Sequence, residues 1–133
     1  MSSSAPFTPV LQITFNEISA REMSSLPKEL QLQLLDEFQI TEAILDAIGK
    51  GTDERFGKIE REGKQLLRYR ASDYRIYFEV AGGDVIVHRV LHKNSFRDFL
   101  YRSNMPVAED DQLGQTHEFW EMIEEGKRAS RKR

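Results

Sequence analysis

Two periodicities divide the chain. Between Leu26 and Ile48 the residues Leu30, Leu34, Phe38, Leu45 and Ile48 keep to helical spacing, which predicts one helix over the whole stretch. Pro27 sits in its first turn, where a missing N–H is harmless, and Gly49 and Gly51 end it. From Lys64 onward the period becomes two. Lys64–Arg70, Tyr74–Val80 and Val85–Leu91 are rich in aromatic and β-branched residues, and Ala71-Ser72-Asp73 and Gly82-Gly83-Asp84 separate them. Links this short predict a three-stranded antiparallel meander, because parallel neighbours need a crossover.

The remaining stretches are read in the same way. Val10–Phe15 alternates as a strand, and Asn16 followed by Glu17 marks the start of a short helix that ends near Ser24-Ser25. Thr52–Gly63 reads as a polar link, Ser95–Ser103 as a short helix and Met105–Gly114 as an acidic linker. His117–Lys127 reads as a last helix with Phe119, Trp120 and Ile123 in a stripe, followed by a basic tail to Arg133. The predicted class is α+β. A small antiparallel four-stranded sheet, in the order β-α-α-β-β-β-α, carries two N-terminal helices on one face, with an extra C-terminal helix. The predicted division is a disordered N-terminus over 1–8, a folded domain over 9–102, and the linker, helix and tail over 103–133.

Side chains alternate across a pleat, so each strand splits into two faces. Leu67, Tyr69, Ile76, Phe78 and Val80 fall on one face, which is expected to meet the helices. Arg68, Arg70, Arg75 and Tyr77 fall on the other, which is expected to lie open as a cationic surface.

Charge sharpens this picture. The chain is net −3, yet residues 1–54 carry 3 basic and 9 acidic side chains, 55–102 carry 11 and 6, and 103–133 carry 5 and 7. A basic middle in an acidic chain points to a local site for an anionic ligand, phosphate foremost. An ordinary solvated sheet face explains the same charges. With no cysteine there are no disulfides, thiolate metal sites or Cys nucleophiles. No apolar run reaches the roughly 20 residues of a membrane span, and Met1–Pro9 lacks the pattern of a signal peptide. A cytoplasmic protein without a membrane role is expected. The three His are dispersed and no P-loop or Ser-nucleophile motif is present, so neither metal nor cofactor is expected.

The chain resembles the RelE/ParE superfamily of type II toxin–antitoxin toxins. The matching pieces are the opening strand and helix leading into SSLPKELQLQLL, the hairpin LLRYRASDYRIYFEV, and the last strand with its exit, VIVHRVLHKNSFRDF. The resemblance implies a cytosolic toxin neutralised by a cognate antitoxin. In its RelE branch it implies an endoribonuclease and translational repressor that cuts mRNA on the ribosome. In its ParE branch it implies a protein that blocks DNA gyrase. Arg68 and Arg75 fall where RelE-like toxins keep catalytic basic residues, and Lys93, Arg97 and Tyr101 fall in the region that supplies the rest. Leu66 stands where those nucleases often place a Lys, which leaves the gyrase branch and a degenerate antitoxin-binding member open beside the nuclease.

Metal-free RNA cleavage needs a proton taken from the 2′-hydroxyl, stabilisation of the phosphorane, and a proton for the leaving oxygen. Arg68 and Arg75 suit bidentate contact with phosphate oxygens. His92 or Tyr101 is placed to exchange a proton, Tyr77 to stack on a base, and Lys64 and Arg70 to extend the RNA-binding surface. Each has a plainer role too: His92 at a strand end can hold a loop, Tyr101 can pack, and His88 in mid-strand reads as structural.

Overall fold

A computed structural model describes residues 10–92, 110 and 114–131. The segment before Val10, the predicted helix at Ser95–Ser103, and Lys93, Arg97 and Tyr101 lie outside the described residues, as does most of the acidic linker. The elements are β1 (Gln12–Phe15), α1 (Glu17–Ser24), α2 (Lys28–Glu37), α3 (Glu42–Lys50), β2 (Phe56–Arg61), β3 (Lys64–Ala71), β4 (Tyr74–Ala81), β5 (Asp84–His92) and α4 (His117–Arg131). The class is α+β, as predicted, but the sheet has five strands in the order β1-β5-β4-β3-β2.

Three expectations need correction. The link Thr52–Gly63 contains β2, which pairs antiparallel with β3 from Phe56↔Tyr69 to Arg61↔Lys64. Its turn is Glu62-Gly63, with φ of 52° and 80° at the two positions, the backbone a two-residue hairpin demands. β2 escapes the period-two test because Phe56 and Ile59 are both buried three residues apart, one on each face of the sheet. The sheet is also not wholly antiparallel. β1 lies parallel to β5, from Gln12↔Asp84 to Phe15↔Val87, since three helices and a meander carry the chain between them.

The third correction is the long helix, which breaks in two. Phe38 closes α2 with ψ of 77°, and the Thr41 side chain caps α3 by accepting from the Ile44 N–H. The break has a purpose: Ile40 is fully buried and its carbonyl accepts the Leu11 N–H at 2.8 Å. Helical spacing on both sides of the break hides it in the sequence.

Two apolar clusters result. In the first, Leu30, Leu34, Phe38 and Ile48 of the helical layer meet Phe56, Leu67, Tyr69, Ile76, Phe78 and Val87 of the sheet. Phe38 lies 5.0 Å from the Tyr69 ring and edge-on to Phe78 at 5.4 Å. The second lies on the opposite face, where Ile59, Leu66, Tyr77 and Leu91 meet Phe119, Trp120 and Ile123 of α4. With both faces covered, β3 is buried without interruption from Leu66 to Tyr69, Arg68 included, and β4 from Arg75 to Phe78.

α4 comes so close to β5 that a Cβ at Gly126 would collide with the His88 carbonyl. Gly126→Ala is therefore expected to destabilise the protein by about 1–3 kcal/mol through overpacking, outweighing a helix-propensity gain of up to about 1 kcal/mol. Gly49→Ala, where the added Cβ meets nothing within 4 Å, is expected to stabilise by roughly 0.5–1 kcal/mol. Chemical denaturation of the two variants measures both, and equal stability for them would contradict the close approach.

Candidate functional site

The β3–β4 hairpin brings together the cationic residues singled out in the sequence. Arg68 lies opposite Tyr77 and Arg70 opposite Arg75, so all four share one face. That face is not open, which corrects the expectation: α4 packs across it. Tyr77 is fully buried, with the Phe119 ring edge-on at 5.1 Å. Only Arg70 of the four is exposed.

Arg68 is 4% exposed and is held from two sides. Its Nε and Nη2 donate to Asp110 Oδ1 and Oδ2 at 3.1 and 2.7 Å, and its Nη1 donates to the Arg55 carbonyl at 2.8 Å. The paired forks satisfy one another. Gly57, directly across from Arg68 on β2, makes room: a Cβ there would run into the guanidinium and the Asp110 carboxylate. A Gly opposite an Arg and an acid forty-two residues later leave no local trace in the sequence, which is why this seal is invisible there.

Arg75 is also buried, and its Nη1 donates to the Ser72 and Tyr74 carbonyls at 2.9 and 3.0 Å, closing the hairpin turn. His92 is half-buried and edge-on to Tyr74 at 4.8 Å. Lys64 is exposed at the far end of β3, with its Nζ 3.4 Å from Glu124 of α4. The structure thus groups Arg68, Arg70, Arg75 and Tyr77, puts His92 at the turn end of the hairpin, and puts Lys64 at the opposite end.

A second polar cluster escaped the sequence reading. A bulge, with Tyr77 opposite Arg89 and Phe78 opposite Val87, makes His88 the extra residue of β5. His88 is 2% exposed, with Nε2 2.7 Å from Glu79 Oε1 and Nδ1 3.0 Å from Ser130 Oγ of α4. Asn16 Nδ2 reaches the same Ser130 Oγ and the Gly126 carbonyl, both at 2.9 Å, while Asn16 Oδ1 accepts from the Ser19 N–H. One proton arrangement satisfies the chain: Asn16 donates to Ser130, Ser130 to His88 Nδ1, and His88 Nε2–H to Glu79. Close by, Arg89 is held by both oxygens of Glu22 and donates to the Met122 carbonyl. Asn16 was legible as a helix cap, but nothing local marks it as the tie to α4.

The order of Ser130, His88 and Glu79 has the parts of a proton relay. Its ring is buried, however, and its Ser oxygen is engaged on both sides, so it joins elements and presents no nucleophile. Among the described residues no group of three His, Asp or Glu is placed to hold a metal ion, and no helix is long and apolar enough to cross a membrane.

Burial holds the His88 pKa below the ordinary imidazole range, against the opposing pull of Glu79. The folded protein therefore resists protonation that the unfolded chain accepts. This stability is full above about pH 6.5, the unfolded value, and is lost as pH falls through the lowered folded value. His88→Gln is expected to flatten the decline of Tm between about pH 7 and 5; an unchanged slope would remove His88 as its source. Asp110→Ala, which strands the buried Arg68, is expected to cost roughly 3–4 kcal/mol, the lower part of the range for a broken buried pair, because the Asp110 side chain keeps 18% exposure. Chemical denaturation reads this loss, and wild-type stability would show that the pair holds nothing.

No protein-family model matches the sequence, and no curated protein matches it. Among solved structures, the chain is similar to one in the crystal structure of the RelB–RelE antitoxin–toxin complex from Methanococcus jannaschii, at 18% identity. The match covers 67% of this chain and 98% of that one, with a TM-score of 0.40.

Proposed function

We propose that this chain is a cytoplasmic RelE/ParE-like member of a toxin–antitoxin pair that acts by binding protein, with the RNA-cutting face of such toxins closed. The carrying observation is Arg68, clamped by Asp110 on the sheet face that α4 packs across. Opening that face requires Phe119, Trp120 and Ile123 to leave the sheet. At about 1.5–3 kcal/mol for each buried side chain, the three represent roughly 5–9 kcal/mol, comparable with the entire stability of a small domain, about 5–15 kcal/mol. An open form that scarce would weaken RNA binding by the same factor. Leu66, buried in the α4 cluster, supports the same reading, since a Lys there would be buried without water.

The partners under this proposal are a cognate antitoxin and, in the ParE-like variant, DNA gyrase. A second reading keeps the ribosome and mRNA as targets, with Arg75, His92, Lys93, Arg97 and Tyr101 as the catalytic set. It is favoured by the turn end of the hairpin, where Arg70 is exposed and His92 half-buried. In that reading Arg68 is a positioning residue.

Primer-extension mapping after induced expression separates the two. The proposal expects no codon-register cuts from the wild-type chain, and a stable complex with the small protein encoded beside it. Codon-register cuts that Arg75→Ala lowers by about 10²-fold would overturn it in favour of the nuclease. Arrest with blocked supercoiling and no cuts would identify the gyrase variant.

A further inference from the structure

Arg68 and Asp110 meet in a hollow shaped for an anion. Arg68 Nε and Nη2 lie side by side and reach the two oxygens of one carboxylate at 3.1 and 2.7 Å, while Nη1 donates to the Arg55 carbonyl at 2.8 Å. A guanidinium anchored by its third nitrogen keeps its fork aimed in one direction. The charge is permanent, and with the Arg68 side chain only 5% exposed an oxyanion has to face it.

The floor of the hollow is Gly57, which pairs with Arg68 across β2 and β3. A Cβ there would collide with Arg68 Nη2 and with Asp110 Oδ2, so a residue without a side chain is what lets an anion lie flush on the backbone. Gly57 belongs to β2 and the Arg55 carbonyl comes just before that strand. The sheet therefore builds the hollow, and Asp110 supplies its contents.

The fork determines what fits. Two parallel N–H donors match two oxygens on one atom, the geometry of a carboxylate or of a phosphate. The Asp110 side chain is 18% exposed, so the outer side of the carboxylate is open, and there the further oxygens of a phosphate group can meet water. Arg70, two residues along β3 on the same face, is exposed and adds positive potential. A strand of RNA needs the whole face that α4 covers, whereas a single phosphate group needs only the place of one carboxylate.

We infer that Arg68, Gly57 and the Arg55 carbonyl form a binding site for a phosphate group, and that Asp110 occupies it in cis as a built-in competitor. The inference rests on the proposed function, in which the cationic face is closed, and names the gate on Arg68: the Asp110 carboxylate, with α4 left in place. Because Asp110 is tethered, a free anion competes with an effective concentration on the order of mM or higher. The wild-type chain is therefore expected to bind phosphate at least about tenfold more weakly than Asp110→Ala.

The test is chemical rescue of the full chain. Asp110→Ala leaves Arg68 without its carboxylate, and inorganic phosphate at ten times its Kd is expected to raise the Tm of this variant by about 4 °C. That rise is counted beyond the one phosphate gives the wild type and the Arg68→Met/Asp110→Ala double variant, which share the general salting effect. Potassium chloride at equal ionic strength is expected to give no such excess. If Asp110→Ala is unfolded in chloride, recovery of its folded circular-dichroism signal by phosphate reads the same linkage, and Asp110→Ser serves as the milder variant. No excess in either variant overturns the site, as does an equal rise in the double variant. Rescue by acetate but not by phosphate overturns the phosphate assignment, and a wild-type chain that gains as much as Asp110→Ala overturns the competition. Rescue alongside codon-register cuts by the wild type would sink the proposed function and leave the site standing, whereas no rescue and no cuts would sink the site alone.

Discussion

The approach of α4 to the bulge in β5 is the contact on which the rest of the architecture turns. The bulge turns the His88 ring toward α4 and leaves the Val87 and His88 carbonyls beside Asn16, with Nδ2 distances of 3.3 and 3.1 Å. Ser19 donates to the Val87 carbonyl as well. A residue that caps α1 thus also gathers β5 and α4, and Gly126 lets the helix come within reach of it. Buried polar groups are costly unless each finds a partner. This cluster satisfies its members only when all three elements are in place, and so selects one position for α4.

That position determines the state of the cations. On an uncovered sheet face Arg68 and Arg89 would be solvated and available to an anion. Once that face is covered they must be paired, and Asp110 and Glu22 supply the carboxylates at 2.7 Å each. Buried ion pairs contribute little net stability, because desolvation cancels most of the attraction, but they penalise any arrangement that separates them. The basic middle of the sequence has therefore been divided. Arg68 is internal, Arg89 is half-buried and paired with Glu22, Arg75 braces a turn, and Arg70 with Lys64 remains outward.

The two sheet edges show a similar division of roles. β2 displays alternating charge outward, which discourages further pairing. β1 is only four residues long and is bordered by the largest exposed apolar side chains of the described chain. Among the described residues, one broad sheet face is closed by α4 and the other by α2 and α3, and the large apolar side chains that still face water lie beside β1.

Local chemistry was enough to determine much of this protein. The strands β3, β4 and β5, the Gly82-Gly83 turn, the cap at Asn16 and the grouping of Arg68, Arg70, Arg75 and Tyr77 on one face follow from alternation, turn residues and capping, all of which act over a few residues. β2, the break at Phe38–Thr41 and the closure of the cationic face did not follow. Phe56 and Ile59 serve opposite cores, Ile40 is placed by a bond to Leu11, just before β1, and Arg68 is sealed by an acid far along the chain. Whether a face of arginines is a binding surface or an interior depends on what packs over it, and that is decided by contacts between elements remote in sequence, which no local period encodes.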